Sequence, residues 1–217
     1  MKALLIAGGT IDIPWAKEFM KVHSYDKTIA VDGGLSAANL LGICPDMVVG
    51  DFDTVSEELI SEYLHKGCII ERLNPIKDET DTQYAMSRLI ALGAREIDIL
   101  GGTGGRMDHT MSNVYMLKLA YDYGVKAVMY DRINKISVIK GKNILKKDEA
   151  YGRYVSFIQL EGAVRDVTMT GFVYNVEHFD FDTDKEYRMA VSNEFECDMA
   201  TVDIGEGMFV MLEISGD

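Results

Sequence analysis

The chain has 217 residues, 47% of them hydrophobic, enough for one large domain or a medium and a small one with a substantial core. Its net charge is −13, with 35 acidic against 22 basic residues, so no basic face for nucleic acid is expected. No apolar run reaches membrane-spanning length and the first residues do not resemble a signal peptide, while Cys44, Cys68 and Cys197 are scattered and in no metal-ligand spacing. A reduced cytoplasm is the expected address.

Residues 3–7 read as a strand ended by Gly8-Gly9, followed by a helix with Pro14 in its first turn and Trp15, Phe19 and Met20 or Val22 on one face. Residues 28–31 form the next strand, closed by Asp32-Gly33-Gly34 before a helix carrying Ala37, Ala38, Leu40 and Leu41. Met47-Val48-Val49 leads into Gly50-Asp51-Phe52-Asp53-Thr54, where two carboxylates follow a buried strand. In an extended segment they face the same way. Two such groups repel unless a proton or cation lies between them, and oxygen-liganded Mg²⁺ is the simplest resident.

Ser56 opens a helix with Ile60, Tyr63 and Leu64 on its apolar side, and residues 68–73 read as a strand. The polar loop 74–82 then enters a helix capped by Thr80 or Asp81. There Lys77 can meet a phosphate and Asp81 can join the metal, while hydroxyls and amides at the helix start suit an anion. A strand at 96–100 runs into Gly101-Gly102-Thr103-Gly104-Gly105-Arg106-Met107-Asp108-His109. Four glycines in five residues cost backbone entropy, and their amides with the Arg106 fork make an anion nest. His109 reads as a helix-start residue, residues 109–123 as helix and 127–130 as a strand. Strand and helix alternation of this kind predicts a mostly parallel, doubly wound α/β sheet.

From about Asn134 the apolar period becomes two-fold, as in 136–139, 154–158, 164–167 and 208–214, with glycines between. An all-β sandwich or barrel is expected there. The division is placed at 138/139, giving domains 1–138 and 139–217. Acids are unevenly shared: residues 141–217 carry 16 against 7 bases. Taken singly, each polar element has a plainer reading as a helix cap, a solvated lysine or an ordinary turn.

As a set, Asp32-Gly33-Gly34, Gly50-Asp51-Phe52-Asp53, Lys77 with Thr80-Asp81-Thr82, the glycine run through His109 with Asn113, and Ser192-Asn193-Glu194 resemble the thiamine pyrophosphokinase family over nearly the whole chain. Two departures are Thr54, where the family often has serine, and Tyr174, where some members carry tryptophan. The resemblance implies an N-terminal α/β domain, a smaller C-terminal β-sandwich and a homodimer with composite sites. It also implies Mg²⁺-dependent transfer of the ATP β,γ-diphosphoryl group to the hydroxyl of thiamine, releasing AMP.

On that resemblance Asp51, Asp53 and Asp81 hold Mg²⁺. Lys77, Thr80, Thr82, Gly102, Gly104, Gly105, Arg106, His109 and Asn113 surround ATP, and Tyr174, Ser192 and Asn193 meet thiamine. Asp32 and Asp108 are both candidates to orient or deprotonate the hydroxyl. Two other classes stand beside this one: a related Mg²⁺-dependent phosphotransferase or hydrolase, and a noncatalytic nucleotide-binding module. For Ser192-Asn193-Glu194 the expected structure is a polar turn between strands.

Overall fold

A computed structural model describes residues 1–74, 78–184 and 189–216. The chain divides into two compact units, Met1–Arg132 and Ile133–Asp217. In the first, strands β1 (Lys2–Ile6), β2 (Lys27–Val31), β3 (Met47–Gly50), β4 (Ile69–Arg72), β5 (Glu96–Leu100) and β6 (Lys126–Tyr130) alternate with helices. These are α1 (Ile13–Lys21), α2 (Gly34–Leu41), α3 (Glu57–His65), α4 (Asp81–Ala91) and α5 (Met107–Asp122). Strand order is β6-β5-β1-β2-β3-β4, with each pairing parallel.

Such strands are covered on both faces, which is why Ala3, Leu4, Leu5 and Ile6 are all fully buried and read as an uninterrupted apolar run. Between β1 and β5 the order reverses, and beyond their carboxyl ends lies the crevice where open α/β sheets take ligands.

Local chemistry sets the helix starts. The Asp12 carboxylate accepts the Trp15 N–H at 3.0 Å ahead of α1, the Ser56 hydroxyl accepts from Leu59 ahead of α3, and the Thr80 hydroxyl accepts from Gln83 at 3.1 Å ahead of α4. Of the two expected caps it is therefore Thr80 that closes α4. Three apolar assignments are corrected: Val22 is 80% exposed because α1 has ended, and Leu40 and Leu64 sit one position round from the buried stripes of α2 and α3.

The second unit holds β7 (Asn134–Ile139), β8 (Lys142–Lys146), β9 (Tyr154–Gln159), β10 (Val164–Thr170), β11 (Val176–Phe181), β12 (Ala190–Glu194), β13 (Met199–Glu206) and β14 (Phe209–Ile214). They pair antiparallel in two sets, β12-β9-β14-β7 and β11-β10-β13-β8. Val155, Phe157 and Phe209 from the first set meet Val167, Phe181 and Val202 from the second in one core. This is the sandwich pattern, with aromatic edges against faces: Phe181 and Phe209 lie 5.3 Å apart at 84°. The division at 138/139 would cut β7, which pairs with β14 from Asn134 to Ile139 and lies whole in the second unit.

Ser192-Asn193-Glu194 is a further correction, for these residues are the end of β12 and not a turn. Pairing with β9 is irregular between Ala190 and Asn193, and Ser192 has φ 55°. A bulge of this kind turns the Asn193 side chain inward and leaves Ser192 outside.

Candidate active site

Beyond β2 and β3 two turns carry the acids. Asp32 adopts φ 45° and Phe52 φ 61°, both in the left-handed region that non-glycine residues rarely enter. The acidic segment is thus a turn and not the extended stretch expected from spacing. Phe52 is buried, with the Arg72 guanidinium 5.2 Å from its ring centroid, and Asp51 Oδ1 accepts the Asp53 N–H at 3.2 Å. Burying the ring between the two acids presents both carboxylates to the cleft.

Asp32 faces Gly50 so closely that a Cβ there would lie 1.6 Å from its Oδ1, so glycine is required for the acid to occupy this place. Asp32 also hydrogen-bonds Asp81, at the start of α4, and two carboxyl groups can do so only with a proton between them. Burial, then that hydrogen bond and the Asp81 charge, push the Asp32 carboxyl up to about 7.

The opposite wall is the pair of loops after β1 and β5. Ala7 N–H donates to the Leu100 carbonyl at 2.8 Å and Gly9 N–H to the Gly101 carbonyl at 2.9 Å, zipping the loops together. A Cβ on Gly9 would come within 2.4 Å of that same Gly101 oxygen. The Asn113 side chain, buried on α5, donates to the Gly102 carbonyl at 2.9 Å and holds the glycine run from below.

Arg106 precedes α5 and makes no capping bond with its side chain, while the Asp108 carboxylate accepts the His109 N–H at 3.0 Å in the first turn. Its guanidinium instead forks onto Asp108, with Nε 3.1 Å from Oδ1 and Nη2 2.5 Å from Oδ2. This bond holds the Asp108 carboxyl below the usual carboxylate range.

The walls enclose a cleft of about 670 Å³. Asp32, Asp51, Asp53, Thr80, Asp81, Thr82, Gly102, Gly104, Gly105, Arg106, His109 and Asn113 line it, so most of the residues singled out from sequence converge on one place. Asp108 is not among the lining residues. Lys77 lies outside the described residues. Among the described lining residues five carboxyl groups, the fifth being Glu79, face one guanidinium. An anionic phosphate chain entering here meets net negative charge unless cations accompany it.

In the second unit Tyr174 is 69% exposed, so it does not pack in the sandwich core. Its backbone is held at both ends by one side chain. Asn193, 2% exposed, accepts the Tyr174 N–H at 3.0 Å and donates to the Tyr174 carbonyl at 2.8 Å. Ser192 is exposed, and its N–H donates to the Ser156 hydroxyl at 2.9 Å.

Two family models match the chain: "Thiamin pyrophosphokinase, catalytic domain" over residues 20–129 and "Thiamin pyrophosphokinase, vitamin B1 binding domain" over residues 142–209. The chain belongs to the thiamin pyrophosphokinase family. A thiamine pyrophosphokinase of Bacillus subtilis is 28% identical over 210 residues, with 96% of each chain covered. Among solved structures, a thiamine pyrophosphokinase from Bacillus subtilis superposes with TM-score 0.86 at 25% identity, covering 100% of both chains. One from Geobacillus thermodenitrificans gives 0.83 at 26%, covering 100% of this chain and 98% of that one. The yeast enzyme, at 18% identity and TM-score 0.82, shares the fold.

In thiamin pyrophosphokinase terms the cleft residues from Val31 to Asn113 fall in the catalytic-domain match, and Tyr174, Ser192 and Asn193 in that of the vitamin B1 binding domain. Residues that sequence reasoning did not assign to the site also line the cleft: Gly8, Gly9, Thr10, Glu79 and Thr110, together with Thr54, noted above as a departure from the family pattern. A signal was available for the first two, a glycine pair after an apolar strand. Nothing in their spacing marks Thr10 or Thr110, which arrive because β1 and β5 are neighbours.

Proposed function

We propose that the chain transfers the β,γ-diphosphoryl group of ATP to the hydroxyl of thiamine, giving thiamine diphosphate and AMP, with Mg²⁺ as cofactor. One observation supports this above the rest. An acid-rich wall and a glycine amide wall, each built from loops at strand carboxyl ends, face each other across one cleft. Among the described residues no three acidic, histidine or cysteine side chains form a ready-made metal cage. Mg²⁺ brought in with phosphates needs only one or two carboxylates, its shell being completed by phosphate oxygens and water. The close approach of the Asp32 and Asp81 carboxyl groups marks a place where a cation relieves carboxylate crowding.

When bound, Mg²⁺ supplies charge neutralisation on the transferring phosphates. Asp51, Asp53 and Asp81 line the cleft and would supply the one or two carboxylates it needs, without forming a ready-made cage of three. Glycine amides of the β5 loop bind phosphate oxygens, and Arg106 exchanges its Asp108 partner for a phosphate. Of the two candidates for the hydroxyl proton Asp32 is the better placed, because it lines the cleft while Asp108 lies outside and is tied to Arg106. Asn193 sets the Tyr174 loop, and Tyr174 offers its ring to the thiazolium cation.

Purified chain with ATP, Mg²⁺ and thiamine is expected to yield thiamine diphosphate and AMP by mass. Release of ADP, or of phosphate without thiamine modification, would overturn the assignment. The proposed assembly is a homodimer with composite sites, in the cytoplasm. Mixed dimers of Asp53→Asn and Asn193→Ala chains should then recover part of the activity that each parent lacks. Mixed dimers no more active than either parent would place each site within one chain.

A further inference from the structure

Cys44 and Cys68 stand 24 residues apart in sequence, yet their Sγ atoms are 3.3 Å apart. Cys44 is exposed in the loop between α2 and β3, whereas Cys68 is buried at the approach to β4. Hydrogen bonds to the backbone hold the two loops on both sides of the sulfurs. Tyr63 accepts the Cys68 N–H at 3.0 Å through its carbonyl and donates its hydroxyl to the Ile43 carbonyl at 3.2 Å. The Asp46 carbonyl accepts the Ile69 N–H at 3.0 Å.

We propose that Cys44 and Cys68 are a thiol pair that small-molecule disulfides oxidise to an intramolecular disulfide, a modification site separate from the catalytic cleft. An S–S bond is about 2.05 Å long, so the sulfurs need to approach by roughly 1 Å. Exposed Cys44 is the attacking side: its thiolate displaces one thiolate from the added disulfide and retains the other half as a mixed disulfide. Cys68 then attacks the Cys44 sulfur and releases that second half as a thiolate. Two protein thiols are oxidised and one small disulfide is reduced to two thiols, the protons lost by Cys44 and Cys68 passing through solvent to the two thiolates released. Burial and the neighbouring Cys44 push the Cys68 thiol up to about 12, which makes it the resolving partner and not the first nucleophile.

The pair lies beside the amino ends of β3 and β4, while the cleft lies beyond the carboxyl ends of the sheet. Oxidation therefore closes a staple between the α2–β3 and α3–β4 connections and leaves turnover as it was. Closing a loop of this length is expected to raise Tm by about 5 °C.

The chain is to be incubated with oxidised glutathione, alkylated, digested and mapped by mass. Expected is a Cys44–Cys68 cross-link with loss of two hydrogens, reversed by dithiothreitol, a higher Tm and unchanged activity. Cys44→Ser should abolish the cross-link, and Cys68→Ser should trap glutathione on Cys44. Glutathione retained on Cys44 of the unaltered chain, a link through Cys197, or both thiols left free would each overturn the proposal.

Discussion

Both units contain non-glycine residues in the left-handed region, but in different places. In the first unit Asp32 and Phe52 lie in turns beyond strand ends. In the second, Asp166, His178 and Ser192 lie inside β10, β11 and β12. A parallel sheet sends its strand ends to one side, so unusual backbone collects there and builds one cleft. An antiparallel unit has no such common end. Its departures are bulges within strands, seen as register shifts between β10 and β11 and between β12 and β9, and each re-aims a side chain locally.

The most forceful test removes charge from the first unit's turns. Asp53→Asn keeps volume and turn but takes away a ligand charge, so activity at saturating Mg²⁺ should fall by orders of magnitude with Tm nearly unchanged. Near-normal turnover would break the assignment of the turn to chemistry.

Next is the bulge of the second unit. Asn193→Ala leaves the Tyr174 N–H and carbonyl without their partner. It should cost about 1–3 kcal/mol of stability and raise the thiamine KM tens of fold, with ATP binding little changed. Tyr174→Ala should raise the thiamine KM similarly at almost no cost in stability, because the ring is exposed. Equal stability losses for the two would mean that Asn193 does not act through the Tyr174 backbone.

Arg106→Lys is expected to act on the ATP side alone. It retains charge and loses the fork, so the ATP KM should rise roughly tenfold while the thiamine KM holds. A change confined to thiamine would reverse the division of labour between the units.

The smallest expected effect concerns the shared proton. Asp32 is pushed up to about 7 in the folded chain, whereas in the unfolded chain it titrates in the ordinary carboxylate range. Between those values the folded state holds a proton that the unfolded state has released. Stability from this group is therefore present at low pH and is lost as pH rises toward 7. Metal-free wild-type chain should lose roughly 2 °C more in Tm than Asp32→Asn between about pH 5 and pH 7.5. Identical profiles would show that Asp32 and Asp81 share no proton.

How well each unit could be read from sequence follows from the same contrast. In the first, apolar runs stop where the chain turns at Asp32, Gly50 and Gly101, and each stop exposes a polar cluster, so strands, helices and nearly all cleft residues are visible as punctuation. In the second, β12 breaks the two-fold pattern at its bulge, and Ser192-Asn193 has the composition of a turn while lying in a strand. The same blindness applies to partners distant in sequence. Cys44 and Cys68 look scattered because nothing local announces that β3 and β4 pair side by side.

By itself the sequence determined the alternation of elements, the change from helical to two-fold period, the caps, and which residues bear charge in which turn. These depend on neighbours within a few positions, where periodicity and side-chain chemistry act directly. Only the tertiary structure decided the strand order, the approach of Asp32 to Asp81, the closure of Arg106 onto Asp108 and the burial of Asn193. Each depends on backbone geometry or on contacts between distant segments, and hydrophobic burial, being non-directional, leaves the choice among such contacts to the packing of the whole unit.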